Sequence, residues 1–230
     1  MWSYDWLFLF KREAWPEEVK LVMLDEHSYQ DLGETPKDFD RKLHARLLDW
    51  LTKEGARLVV FDIWFGEEQS GNKDELFAEA IRRNGRTVLA IELERQPKSG
   101  ITVSDLREPL QVYSEAAVEG GIAKVMGDAQ SVIRQYHPGD SREASLPAAA
   151  ADLAGVASEK LSDEQLRRAW LNYYGAFETI PRVSFADATN QPAGFFKDKC
   201  VFIGSQPTPG YALAEIDEFR TPYSRWGGEL

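Results

Sequence analysis

Asp25 closes the apolar run VKLVMLDE at residues 19–26, and Asp62 stands near the end of LVVFDIWF at residues 58–65. Ligands of open α/β sheets bind beyond the carboxyl ends of the strands, so two carboxylates carried there by strands joined through one crossover helix can share a divalent ion. Glu26, Glu67 and Glu68 add oxygen ligands of the kind magnesium and calcium take. Such a set would serve a metal-dependent phosphohydrolase built on Asp25 and Asp62, or a phospho-accepting receiver. No Asp-any-Asp nucleophile pair stands directly at the end of the first run, and a receiver's later Thr or Ser and Lys do not occur in a clear order. The other role open to these acids is to bond loop amides or cap the next element.

The remaining motifs carry less chemistry. VFIGSQPTPG leads from an apolar run into a glycine-containing loop, but it lacks the lysine and glycine spacing of a phosphate loop, and Pro207 and Pro209 remove two amide donors. It reads as a structural turn. His27, His44 and His137 make no His-x-x-x-His pair, and each reads as solvated or hydrogen-bonding, His44 on a leucine-rich helix. No Gly-x-Ser-x-Gly elbow is present. Cys200 is the one cysteine, which excludes an internal disulfide or a cysteine-rich zinc site; it reads as a small buried hydrophobe. Trp170, Tyr173 and Tyr174 cluster ahead of a polar turn and read first as packing, second as a stacking surface.

The elements that must position these residues follow from two periodicities. VKLVMLDE and ARLVVFDIWF read as buried parallel strands. Between them Thr35 and Pro36 signal a helix start, Leu43, Leu47, Leu48 and Leu51 form one stripe, and Gly55 falls where a helix ends. The unit repeats: Asn72 precedes a helix with Asp74 and Glu75 in its first turn and Arg82 and Arg83 in its last, then TVLAIELE supplies a third strand. Residues 94–108 read as a polar loop or excursion, and GIAKVMGDAQSVIRQYHP as two short strands about a turn at Gly127 to Ser131. SLPAAAADLAG reads as a small-residue helix, Ser162 with Gln165 as a capping box, LNYYG and DKCVFIGS as strands, and VSFADAT as helical.

A chain of 230 residues with 43% hydrophobic content buries enough surface to fold as one domain, and nothing marks a second. The expected class is α/β: a mostly parallel central sheet flanked by helices, with an antiparallel hairpin or excursion. A net charge of −11 argues against nucleic acid as a partner. No run reaches the roughly 20 apolar residues that span a bilayer, and the start, MWSYDWLFLFKREAWP, lacks the basic leader and cleavage site of a signal peptide.

The order of blocks adds a resemblance. VKLVMLDE, LHARLLDWLTKEGARLVVFDIWF, LNYYGAFETIPRVSFADAT, FFKDKCVFIGS and DEFRTPYSRWGGEL together resemble the type-two CHASE domain, an extracytoplasmic sensor of cyclases and kinases, over nearly the whole chain. The most specific pieces are Asn172-Tyr173-Tyr174-Gly175 with Thr179-Ile180-Pro181, the block from Phe195 to Gly204, and Asp217-x-Phe219-x-Thr221-Pro222. Two departures stand out: Asp5 and Phe8 are followed by aromatics before Lys11 and Arg12, and Cys200 takes an aliphatic position.

The resemblance implies one sensor domain over residues 1–230, with residues 1–17 adjoining an upstream membrane helix and residues 223–230 leading toward downstream ones. It implies an extracytoplasmic site, periplasmic or at the cell surface, and a cytoplasmic cyclase or kinase output; because such outputs work in pairs, a homodimer is expected. The family implies no well-defined ligand; an unidentified small molecule or envelope partner is expected, with no cofactor and no catalysis by this domain. The ligand face is expected at the carboxyl edge of the strands: Asp25, Glu26, Asp62, Asn172, Tyr174 and Ser205.

Overall fold

A computed structural model describes residues 4–6, 14–98, 101–156, 169–176, 179–206 and 220–223. Its strands are β1 (Val19–Leu24), β2 (Leu58–Asp62), β3 (Thr87–Lys98), β4 (Ile101–Arg107), β5 (Glu119–Ile122), β6 (Arg182–Ser184) and β7 (Cys200–Ser205). Its helices are α1 (Glu26–Leu32), α2 (Arg41–Glu54), α3 (Lys73–Asn84), α4 (Gln111–Ser114) and α5 (Leu146–Leu153). They build one α/β domain around a seven-stranded sheet ordered β4-β3-β2-β7-β1-β6, with β5 pairing β3. Every strand pair is parallel except β3 with β4.

β2 shows why a continuous apolar run becomes a central strand. Successive side chains of a strand point to opposite faces. Val59 and Phe61 join the larger core with Leu47, Leu48 and Leu51 of α2 and Phe77 and Ile81 of α3, whereas Leu58 and Val60 face Leu146, Ala149 and Ala150 of α5. Both faces are covered, so neither can be polar. Leu48 is fully buried, and its truncation to Ala would cost about 2–5 kcal/mol. α2 stops at Gly55, whose φ of 79° lets its N–H close onto Leu51 and Thr52.

Several expected boundaries move. α2 starts at Arg41 with Asp40 as its cap, not at Thr35, because the Asp40 carboxylate accepts the Lys42 amide at 2.8 Å. The residues between β1 and α2 already hold α1. β1 and β2 are not neighbours: β7 lies between them and pairs with both. The stretch 94–108 is largely strand, since β3 runs past the sheet and folds back with β4, Glu92 opposite Arg107 and Lys98 opposite Ile101. The excursion expected there is this hairpin.

Val183 and Ser184 belong to β6 rather than to a helix, and only a short 3₁₀ turn at Ala188–Asn190 follows. Residues 128–132 form the expected turn, with the Asp128 N–H donating to Val132 at 2.9 Å, but its flanks do not pair as a hairpin. Gln135 instead bridges Trp170, and Val132 bridges Arg220. Of LNYYG, residues 171–174 have no strand assignment. The capping box at Ser162 and Gln165 and the prolines Pro207 and Pro209 lie outside the described residues.

Candidate functional site at the carboxyl edge of the sheet

Asp25 follows the last residue of β1 with extended backbone and caps α1: its Oδ1 accepts the Ser28 amide at 2.9 Å. The same oxygen accepts the Ser28 hydroxyl at 2.6 Å and the Ser184 hydroxyl at 2.7 Å, and those hydroxyls are themselves 2.7 Å apart. Burial pushes the Asp25 carboxyl upward, but bonds from Ser28 and Ser184 outweigh it and hold it below the usual aspartate range. Beside this group the Tyr29 hydroxyl lies 3.1 Å from Ser205 Oγ, and the Gln206 amide donates to Leu24 at 2.9 Å.

Register places the other strand ends alongside. Ser205 is opposite Leu24, and Asp62 is opposite Gly204 on the other side of β7. Gly204 keeps that flank open: a Cβ there would meet only the Cβ of Asp62, at 3.8 Å. Asp62, Ser205, Asp25 and Ser184 thus stand at the carboxyl ends of the adjacent strands β2, β7, β1 and β6, staggered in register, with Asp62 opposite Gly204, Ser205 opposite Leu24 and Ser184 opposite Met23. Asp62 is exposed, as is Glu26, whose carboxylate accepts the Gln30 amide at 2.9 Å.

This geometry does not make the paired-carboxylate metal centre. Asp25 is bonded toward Ser184 on β6, the side of β1 away from β7 and Asp62. Among the described residues no group of three or more His, Cys, Asp or Glu side chains could hold a metal ion.

Tyr174 is placed elsewhere. Its ring packs edge-on against Trp15 at 5.7 Å, and Trp15 donates to the Val19 carbonyl at the amino end of β1. The adjoining Tyr173 hydroxyl donates to Ile133 at 2.7 Å, and the Leu171 amide to Arg134 at 2.8 Å. The segment with Asn172 is therefore bonded to residues 133–136, away from Asp25.

Two buried arrangements escaped the sequence. His44 is not solvated: Phe39, Phe65, Phe185, Phe77 and Phe61 surround it with ring centroids 5.0 to 5.8 Å away, and its Nδ1 has no hydrogen-bond partner. Burial, aided by the Arg41 charge, pulls it down to about 3. Arg134, wholly buried, forks onto Asp5 through Nε at 2.7 Å and Nη2 at 2.8 Å, and its Nη1 bonds Asp128. Cys200 is half-buried and packs at the edge of the α5 core; burial raises its thiol.

The capping of α1 was readable as Asp25 followed three residues later by a serine. Ser184 and Ser205 were not, because only strand order brings them beside Asp25.

The described residues build one mostly parallel α/β sheet whose edge carboxylate, Asp25, is bonded by the hydroxyls of Ser28 and Ser184. The chain matches the CHASE2 domain family over residues 1–229 and belongs to that family, whose members are extracellular sensory domains of receptors. No curated protein and no solved structure matches it. No helix among the described residues is long and apolar enough to cross a membrane.

Proposed function

We propose that the chain is the input domain of a bacterial transmembrane receptor. It lies outside the cytoplasmic membrane, in the periplasm or at the cell surface. A membrane helix adjoins residues 1–17, further helices follow residues 223–230, and a cytoplasmic cyclase or kinase is the output. Its signal is a small polar molecule or an envelope partner held at the carboxyl edge by Asp25, Glu26, Asp62, Ser184 and Ser205. The domain works as a homodimer, since paired outputs are most simply relayed by a symmetric pair. The observation that carries this reading is the match to a sensory-domain family over residues 1–229, and Asp62, Ser205, Asp25 and Ser184 gather polar groups at the carboxyl ends of its adjacent strands.

A signal of this kind must bind two conformations unequally, because equal affinity shifts no population. Asp25 supplies a means: a ligand hydroxyl or amide that takes one of its lone pairs displaces Ser184 or Ser28 and so loosens β6 or α1 from β1. The segment with Asn172 and Tyr174 lies apart from Asp25, against Trp15 and residues 133–136.

The test has two arms. The gene should encode membrane helices on both sides of residues 1–230, and a reading frame ending near Leu230 with no membrane segment on either side contradicts the receptor. A thermal-shift panel of sugars, amino acids and nucleosides should yield a ligand that stabilises the protein by about 2.7 kcal/mol at a hundredfold excess over Kd. Ser205→Ala and Asp62→Asn should weaken that shift; stabilisation untouched by both places the ligand elsewhere.

A further inference from the structure

Four stretches distant in sequence meet at one place: residues 4–6, 128–136, 169–174 and 220–223. Asp5 reaches it through the two-pronged bond to Arg134, and Tyr4 through its hydroxyl bond to the Leu171 carbonyl and a ring contact with Trp170 at 4.4 Å. The other end of the chain arrives at the neighbouring residues. The Ile133 amide donates to Arg220 at 2.8 Å, Val132 bridges Arg220, and the Tyr223 ring packs against Tyr173 at 6.4 Å. Tyr173 returns to Ile133 through its hydroxyl at 2.7 Å.

We propose that Arg134 is a clasp which couples the two ends of the domain, so that the amino-terminal and carboxyl-terminal junctions hold or release together. Arg134 is wholly buried, and Asp5 is nearly so. A buried guanidinium that loses the two-pronged Asp5 carboxylate keeps only Asp128, which is partly exposed, and breaking a buried ion pair is strongly destabilising. It then shifts toward Asp128 and water, and the backbone beside it is bonded to both distant stretches: the Arg134 carbonyl accepts from the Leu171 amide, and the Ile133 amide donates to the Arg220 carbonyl. Closed and released are therefore discrete states of one element, the kind of element that transmits a signal.

The signalling meaning of the clasp rests on the receptor reading, but the coupling itself does not. It is tested on the 230-residue chain alone by amide hydrogen exchange. Asp5→Asn removes charge at the amino end, and Ile133, whose amide is bound to the carboxyl end, is the reporter, with Val59 of β2 as the core control. The expected result is exchange at Ile133 and Leu171 faster by about tenfold or more, with Val59 unchanged, as in local release without global unfolding.

Coupling is reciprocal, so a chain ending at residue 219 should expose the Arg134 Nε–H and speed its exchange by about tenfold or more. Ile133 exchanging at the wild-type rate in Asp5→Asn overturns the clasp. If Asp5→Asn does not fold, the shortened chain decides: an Arg134 Nε–H as protected as in the whole chain overturns it equally. Absence of flanking membrane helices would remove the receptor reading and leave this result standing.

Discussion

Ser184 on β6 donates to Asp25 at the end of β1 across 2.7 Å, on the side of β1 away from Asp62. That one bond separates two accounts of the carboxyl edge. An Asp25 shared with Asp62 around an ion would face β7; an Asp25 that gathers the hydroxyls of Ser28 and Ser184 closes the β1 to α1 turn. In the proposed function, the polar groups at these strand ends are the ones whose bonds a ligand exchanges.

Asp25→Ala removes a helix cap and two hydroxyl bonds to a carboxylate. Caps contribute about 1 kcal/mol, and bonds to charged groups more, so urea unfolding should show a loss of about 2–3 kcal/mol. Asp25→Asn, which keeps an acceptor oxygen, should lose less. Because the folded carboxyl lies below its ordinary value of 3.8, its contribution is complete above that pH and disappears as pH falls through the lowered value. A variant as stable as wild type at pH 7 and at pH 3 would show that the network contributes nothing.

His44 gives a second pH dependence in a different window. It titrates at about 3 in the folded chain against an ordinary 6.5, so the folded state binds fewer protons below pH 6.5. Stability is complete above 6.5 and declines toward pH 3, with a slope of up to about 1.4 kcal/mol per pH unit from this one group. Between pH 6.5 and 5 wild type should lose about 2 kcal/mol more than His44→Leu. Parallel stability curves for the two proteins would contradict the burial of a neutral histidine among the five phenylalanines.

Two glycines should respond oppositely to the same methyl group. A Cβ on Gly121 of β5 would lie 2.6 Å from Leu146 Cα and 2.9 Å from its nitrogen, so Gly121→Ala must push α5 off the sheet at a cost of about 1–3 kcal/mol. Gly204, with open space toward Asp62, should accept Ala at no cost or with a gain of up to about 1 kcal/mol. Thermal unfolding of both variants reads the difference, and equal destabilisation would contradict the register of β7 beside β2.

The legible parts of this fold are those whose patterns are local. LVVFDIWF announces a strand buried on both faces, the leucine stripe announces α2, and Gly55 its end. Strand order is not local: nothing in VKLVMLDE or LVVFDIWF says that Cys200–Ser205 will lie between them, and this insertion moved Asp25 from Asp62 to Ser184. His44 sits on a helix as any polar residue does, and only the convergence of Phe residues from four other segments makes it a core group. Tyr174 was expected at the ligand edge because a polar turn follows it; its packing on Trp15 puts it by the start of β1 instead.

The central claim is that this domain receives its signal outside the cytoplasmic membrane. The most direct measurement uses the protein as its gene encodes it, in its own cells, with Cys200→Ala and a single new cysteine from Glu79→Cys on the exposed face of α3. A membrane-impermeant maleimide should label that cysteine in intact cells to the same extent as after the cytoplasmic membrane is broken. Labelling that appears only after the membrane is broken would place the domain inside the cell and contradict the account.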